Sequence, residues 1–349
     1  MDPRRSRGAW WFVAVLALAG VFTAALAGDA AAGPVRVGVL GDSLSDEYQF
    51  ADDPPDRAAA RNYVEILASR DRLDFGEFST TSRGEPRRQG YEFNWARSGT
   101  RTAGLPQQTA GLAQQAAAGR VDYGVILIGG NDVQDVATGA ADPATALPAA
   151  ITNTVTAAQT LLGATAATNP DFRLVVGNVP DVTRTPAAQF LLAQNPALAP
   201  QLAQLSAGID QFNTALAGQF AGNDRVAILD VNTLFDDILD NPGSQVQGVT
   251  LDPATPGTDP TKVFVDPVHA GTVAHARLGN TLLELIGTRF GEDVTPLSDA
   301  EIRAVAGIDS PGNPNPIPLP AGAWAGLVSL PLAVAAIRRA RRAQLERAA

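Results

Sequence analysis

From residue 35 onward, short β-rich apolar runs alternate with longer segments whose apolar residues recur every three or four positions. The short runs are 35–40, 93–96, 121–128, 173–176 and 226–229, and each stops at a Gly, Asn, Asp or Ser within a few residues. The longer segments are 56–70, 105–118, 144–162, 187–194, 198–220, 234–239 and 273–286. Tyr63, Ile66 and Leu67 fall on one helical face of the first, and Leu278, Leu282, Leu285 and Ile286 on one face of the last. This alternation predicts an α/β protein: a three-layer α/β/α sandwich around a five-stranded parallel sheet. Residues 80–89 and 243–260, rich in Gly, Pro, Thr and charged residues, read as exposed loops. A further apolar triplet, Val263-Phe264-Val265, precedes Asp266-Pro267-Val268-His269. No repeat and no internal break divides the body, which reads as one domain over 28–309.

Two apolar stretches lie outside this pattern. Arg4, Arg5 and Arg7 precede an apolar run over 9–27 that ends Ala25-Leu26-Ala27. A basic start, an apolar middle and an A-x-A site describe a secretory signal peptide, residues 1–27, cut after Ala27. A retained anchor is the competing reading, because the run approaches the length of a span. At the other end a Pro/Asn/Gly linker, 310–316, leads into 21 predominantly apolar residues, 317–337, and then Arg338, Arg339, Arg341 and Arg342. Residues 317–349 therefore read as a transmembrane or sorting segment held by positive charge on its inner side.

Charge narrows the partners. The net charge is −10, and eight of the 26 basic residues but only two of the 36 acidic ones lie in 1–27 and 338–349, so the body is more acidic still. Nucleic acid is a poor partner for such a surface. The chain has no Cys, which excludes disulfides, thiolate chemistry and Cys–zinc sites. With two His and scattered acids there is no ligand set at recognisable metal spacing, so neither a metal nor a cofactor is expected. Asp252 and Asp259 read as solvated loop acids.

Four loops carry candidate chemistry. Gly41-Asp42-Ser43-Leu44 ends the first apolar run, and the carboxyl ends of parallel strands are where ligands bind. A Ser there suits a nucleophile, although a turn or capping Ser has the same signature. Asp266 lies three residues before His269, a spacing that can turn the carboxylate back onto the imidazole and fix its tautomer; a lone His can equally be a core residue. Asn94-Trp95-Ala96-Arg97-Ser98-Gly99 and Gly129-Gly130-Asn131-Asp132 follow apolar runs in the same manner. Gly222-Asn223-Asp224 precedes a run instead of ending one and reads as a plain turn. His275 reads as a packing residue, and Asp42 and Asp132 as loop-shaping carboxylates. No G-x-S-x-G elbow occurs.

In order and spacing, these four loops together resemble the GDSL, or SGNH, hydrolase family over residues 35–290. The resemblance implies a flavodoxin-like sandwich and an exported serine esterase or lipase that forms an acyl-enzyme. It implies Ser43 as nucleophile, His269 as general base and acid, and Asp266 as the residue that orients His269. The Ser43 and Gly99 N–H groups and the Asn131 side-chain amide would form the oxyanion hole. Lipids, short acyl esters and acylated polysaccharides are the implied substrates. A non-catalytic surface adhesin or carbohydrate-binding protein on the same scaffold is the rival reading, against which all five residues being present argues. Ile317-Pro318-Leu319-Pro320-Ala321, followed by a Gly/Ala/Leu span and the Arg cluster, resembles the VPLPA variant of PEP-CTERM sorting signals. That implies passage through export machinery, processing by an exosortase-type membrane enzyme, and a final place at the cell surface or outside the cell.

Overall fold

In the computed structural model, residues 34–50, 55–84 and 89–308 are described. The expected signal peptide, the linker and the C-terminal segment lie outside these residues. Everything described from Val35 to Ile308 lies within one compact unit, and none of its helices is long and apolar enough to cross a membrane.

The strands are β1 (Val35–Gly41), β2 (Leu73–Asp74), β3 (Phe78–Ser79), β4 (Gly90–Tyr91), β5 (Tyr123–Leu127), β6 (Arg173–Gly177) and β7 (Val226–Leu229). The helices are α1 (Tyr63–Ser69), α2 (Leu105–Ala117), α3 (Gly130–Thr138), α4 (Pro143–Thr165), α5 (Pro186–Gln194), α6 (Ala199–Gln219), α7 (Val231–Asp240), α8 (Thr272–Phe290) and α9 (Asp299–Ala306). Five strands form a sheet in the order β2-β1-β5-β6-β7, with all neighbours parallel. The chain moves from β1 to one side, then returns past it to β5 and continues the other way. The direction of winding thus reverses between β1 and β5, and the crevice at that reversal is the ordinary ligand site of such a sheet.

Alternation along the strands builds two cores. Val37, Val39, Val125, Leu127, Val175 and Leu229 face α1, α7, α8 and α9, where Ile66, Leu67, Phe235, Leu278 and Leu282 are buried against them. Leu40, Ile126, Leu174 and Val176 face the other way, onto Leu112 of α2, Leu161 of α4, and Ile209 and Phe212 of α6. Both faces of the sheet are covered, which is why its strands read as near-continuous apolar runs. Local chemistry fixes the helix starts. Asn62 and Glu65 form a capping box on α1, Ser298 and Glu301 another on α9, and Asp142 caps α4 just ahead of Pro143.

The architecture is the expected one, but two strand assignments change. Residues 93–96 are not a sheet strand: a single parallel bridge joins Asn94 to Val39. Val263-Phe264-Val265 also stays outside the sheet, tied by an isolated bridge from Phe264 to Ala270 and by Val263 N–H to Asp252 O at 3.0 Å. The fifth strand is instead the two-residue β2, paired Val35 to Leu73 and Arg36 to Asp74. An edge strand this short has no periodicity to read. Gly130, Asn131 and Asp132, read as part of the loop after a strand, instead open helix α3, and α9 was not expected.

Candidate active site

β1 ends at Gly41, whose N–H donates to Gln108 Oε1 at 2.8 Å while Gln108 Nε2 donates back to Gly41 O at 2.9 Å. This buried amide fixes the last residue of the strand. The next four residues turn sharply. Asp42 O accepts from Ser45 N and Asp46 N at 3.1 and 3.0 Å, and Asp42 Oδ1 accepts from Leu44 N at 3.1 Å. Ser43 sits at the apex, nine-tenths buried, and among the described residues neither its N–H nor its hydroxyl has a hydrogen-bond partner. Burial pushes the Asp42 carboxyl up to about 7, with the nearby Asp132 charge acting in the same direction.

The second loop is tied to the first. Asp46 Oδ2 accepts from Ser98 N at 2.7 Å and from Arg97 Nη1 at 3.1 Å, and Arg97 N donates to Gly41 O at 3.1 Å. These bonds present Gly99 in a left-handed conformation, φ +77°, with no atom within 4 Å of where a Cβ would stand. Its N–H also lacks an acceptor among the described residues. The third loop opens at Gly129, φ +118°, a conformation that only glycine adopts without strain. That turn sends the chain from β5 straight into α3 and sets Asn131 in its first turn. Asn131 Nδ2 donates to Thr100 O at 3.0 Å, and Asp132 accepts from Thr102 N and Thr102 Oγ1 at 2.9 and 2.8 Å. The second and third loops are therefore clamped together.

The fourth loop is a tight return between Val265 and Ala270, closed by Val265 N–H to His269 O at 2.9 Å. Asp266 Oδ1 accepts the N–H groups of Val268 and His269, both at 2.8 Å, and Asp266 Oδ2 accepts from His269 Nδ1 at 2.7 Å. Burial tends to raise the Asp266 carboxyl. The hydrogen bond and charge of His269, with the two backbone donors, outweigh this and hold it below the usual carboxylate range. The ring proton is thus on Nδ1, and Nε2 carries the lone pair. That lone pair faces Arg57 Nη1 at 3.0 Å, and no hydrogen bond joins His269 to Ser43.

Behind His269 lies a layer of buried polar side chains. The Arg57 guanidinium carbon stands 5.3 Å over the Tyr48 ring, and Tyr48 Oη pairs with His275 Nε2 at 2.8 Å. His275 is fully buried, as a packing residue should be. Burial, with the charges of His269 and Arg57, pushes its imidazole down to about 3, so it is neutral.

Ser43, Gly99, Asn131 and His269 all line one cavity of roughly 1590 Å³, with Asp266 buried behind His269. Apolar side chains also line it: Leu147 and Ile151 of α4, Leu191 of α5, and Leu198, Leu202 and Leu205 on or beside α6. Four loops separated by as much as 226 positions thus meet at the β1/β5 reversal. The Gly222 copy does not: it is a turn before β7, with Asn223 N–H bonded to Phe220 O at 3.1 Å. Among the described residues no group of three or more His or acidic side chains is placed to hold a metal ion.

The sequence model of the GDSL-like lipase/acylhydrolase family matches residues 37–282. The chain belongs to that family. It is a carboxylic ester hydrolase, and the matched span runs from within β1 into α8 and includes all four loops. Among curated proteins none matches the sequence. Among solved structures it is similar to the lipase Lip_vut3 from a goat rumen metagenome, at 13% identity and a TM-score of 0.43 over 71% of this chain and 95% of that one. It is also similar to a carbohydrate esterase family 3 protein from Talaromyces cellulolyticus, at 17% identity and a TM-score of 0.39 over 74% and 100%. The acetylxylan esterase Axe2 from Geobacillus stearothermophilus aligns at 16% identity and a TM-score of 0.37 over 73% and 95%.

Three residues at this candidate site were not singled out from sequence: Gln108, Asp46 and Arg57. Gln108 is one Gln in an Ala/Gln-rich helix, and Asp46 is one acid in a polar turn. Arg57 follows a Pro/Asp-rich stretch that carries no motif.

Proposed function

We propose that this GDSL-family hydrolase is an exported serine esterase whose nucleophile is Ser43, with His269 as general base and acid and Asp266 orienting it. The observation that carries the reading is the Asp266–His269 pair, 2.7 Å apart and leaving Nε2 as the acceptor, on the same cavity as Ser43 and its unpaired N–H. Ser43 Oγ attacks the ester carbonyl carbon and its proton passes to His269 Nε2. The negative carbonyl oxygen is received by the N–H groups of Ser43 and Gly99 and by Asn131 Nδ2. Collapse breaks the bond to the alcohol, which leaves with the proton from His269. Water then attacks the acyl-enzyme by the same route, releasing the carboxylic acid and restoring Ser43.

The apolar lining of the cavity favours an ester with a long apolar chain over an acetylated polysaccharide. Each buried methylene contributes about 0.8 kcal/mol, roughly a four-fold gain in kcat/KM. Residues 1–27 would carry the chain through the export machinery, and 317–349 would be the segment an exosortase-type enzyme recognises, leaving the hydrolase at the cell surface or beyond it.

Hydrolysis of p-nitrophenyl acetate, butyrate and decanoate by the protein and by Ser43→Ala and His269→Ala tests the reading. Loss of at least about 10³ in turnover is expected in both variants, with unchanged circular dichroism. Turnover that survives Ser43→Ala refutes it.

A further inference from the structure

Arg57 stands where the reading above needs a serine hydroxyl. With Nδ1–H committed to Asp266, His269 has one lone pair left, and Arg57 Nη1 donates to it at 3.0 Å. One lone pair accepts one well-formed hydrogen bond, so bonds from Arg57 and from Ser43 exclude each other. The next step sharpens the conflict. Once Ser43 gives up its proton, Nε2 carries a hydrogen and the ring a positive charge, and both then face a guanidinium N–H of the same sign.

The arginine is built into the protein. It is 1% exposed, its Nη2 donates to Ser98 Oγ at 3.0 Å, and its π-face contact with Tyr48 supports the plane of the guanidinium. Among the described residues no carboxylate bonds to it and its buried Nε has no partner. The guanidinium is held by an imidazole, a hydroxyl and a ring, so leaving His269 for another acceptor gives up one hydrogen bond.

We propose that Arg57 is a positioning residue that caps the general base: it holds His269 in the Nδ1–H tautomer at rest and must leave Nε2 before Ser43 can be activated. The proposal rests on the reading of Ser43 and His269 as nucleophile and base. The arrangement described is then the capped, resting one, and the resting reactivity of Ser43 is set by the fraction of molecules in which the guanidinium has withdrawn.

The test is the rate at which a fluorophosphonate labels Ser43 in the full chain, with kcat and KM for p-nitrophenyl butyrate measured beside it. Arg57→Leu keeps apolar bulk and removes the donor and the charge. It is expected to label about ten-fold faster or more, the gain falling in kcat and not in KM. Arg57→Lys keeps a positive donor and is expected to stay within about three-fold of the parent protein, because a charged donor restores most of the bond. A merely structural arginine cannot give this pattern, since its removal would only slow labelling. Folded Arg57→Leu that labels no faster than the parent overturns the cap. Should Arg57→Leu fail to fold, Ser98→Ala removes one of the two polar anchors. Faster labelling supports the cap there, and an unchanged or slower rate overturns it. Failure of the underlying reading looks different: labelling that persists in Ser43→Ala overturns the nucleophile and the cap together.

Discussion

Replacing Asp266 by Asn separates the charge and the tautomer of the site from its shape. Asp266 Oδ1 accepts two backbone N–H groups at 2.8 Å, and Oδ2 accepts from His269 Nδ1 at 2.7 Å. An Asn can keep its oxygen on the two backbone donors only by turning its NH2 toward Nδ1. The opposite orientation would set that NH2 against both backbone donors, at a cost of about 1–3 kcal/mol for each unsatisfied group. The amide is therefore driven to donate to Nδ1, the ring proton moves to Nε2, and the lone pair that would take the Ser43 proton in the proposed mechanism disappears. The same shift points an N–H at Arg57 Nη1. An exchange of this kind lowers kcat on the order of 10⁴-fold, about 5.5 kcal/mol, with KM little changed. Steady-state hydrolysis of p-nitrophenyl butyrate measures it, with circular dichroism as the control for folding. The variant carries a second signature. The Asp266 carboxyl is held below its ordinary value, so it contributes stability that is present above the unfolded pKa and lost as pH falls through the folded one. Asp266→Asn should flatten that acid-side loss in urea titrations. A folded variant that keeps more than about a tenth of the parent kcat would refute the tautomer argument.

Three further outcomes follow from the same geometry. Asn131→Ala removes one proposed oxyanion donor and should lower kcat by about 10²–10³; a loss seen only in KM would move Asn131 from the transition state to substrate binding. Leu202→Trp fills part of the apolar wall and should cut the decanoate-to-acetate ratio of kcat/KM at least about ten-fold, whereas an unchanged ratio would place the chain elsewhere. Burial raises the Asp42 carboxyl to about 7, so the folded state binds an extra proton between about pH 4 and 7 and stability falls as pH rises through that window. Asp42→Asn should remove that part of the decline, about 3 kcal/mol between pH 5 and 8, as read by denaturant midpoints at those two values. Glu47, raised to about 8 by burial, adds a decline of the same sign that the variant leaves in place.

The four loops were legible because each has a local cause that sequence displays. A branched apolar run that ends at Gly41 or at Gly129-Gly130 marks a strand meeting a turn, and the three-residue spacing of Asp266 and His269 closes a loop without help from elsewhere. What supports the loops was not legible. Gln108 meets Gly41 across 67 positions and Arg57 meets His269 across 212. Neither pairing leaves a periodicity or a spacing, because a long-range hydrogen bond constrains one residue at each end and nothing between. The misassigned strands have a similar origin. Residues 93–96 and 263–265 are apolar because they are buried, and burial alone does not say whether a segment pairs with the sheet or lies across its end.

By itself, the sequence determined the layer architecture and the places where the chain leaves the sheet, since period, branching and turn residues act within a few positions. The tertiary structure alone decided which edge strand completes the sheet, how the four loops are clamped around one cavity, and what touches His269 Nε2. Those outcomes depend on which surfaces reach each other once both cores are packed. The contact at His269 Nε2 is a buried guanidinium brought in from a segment with no signal of its own.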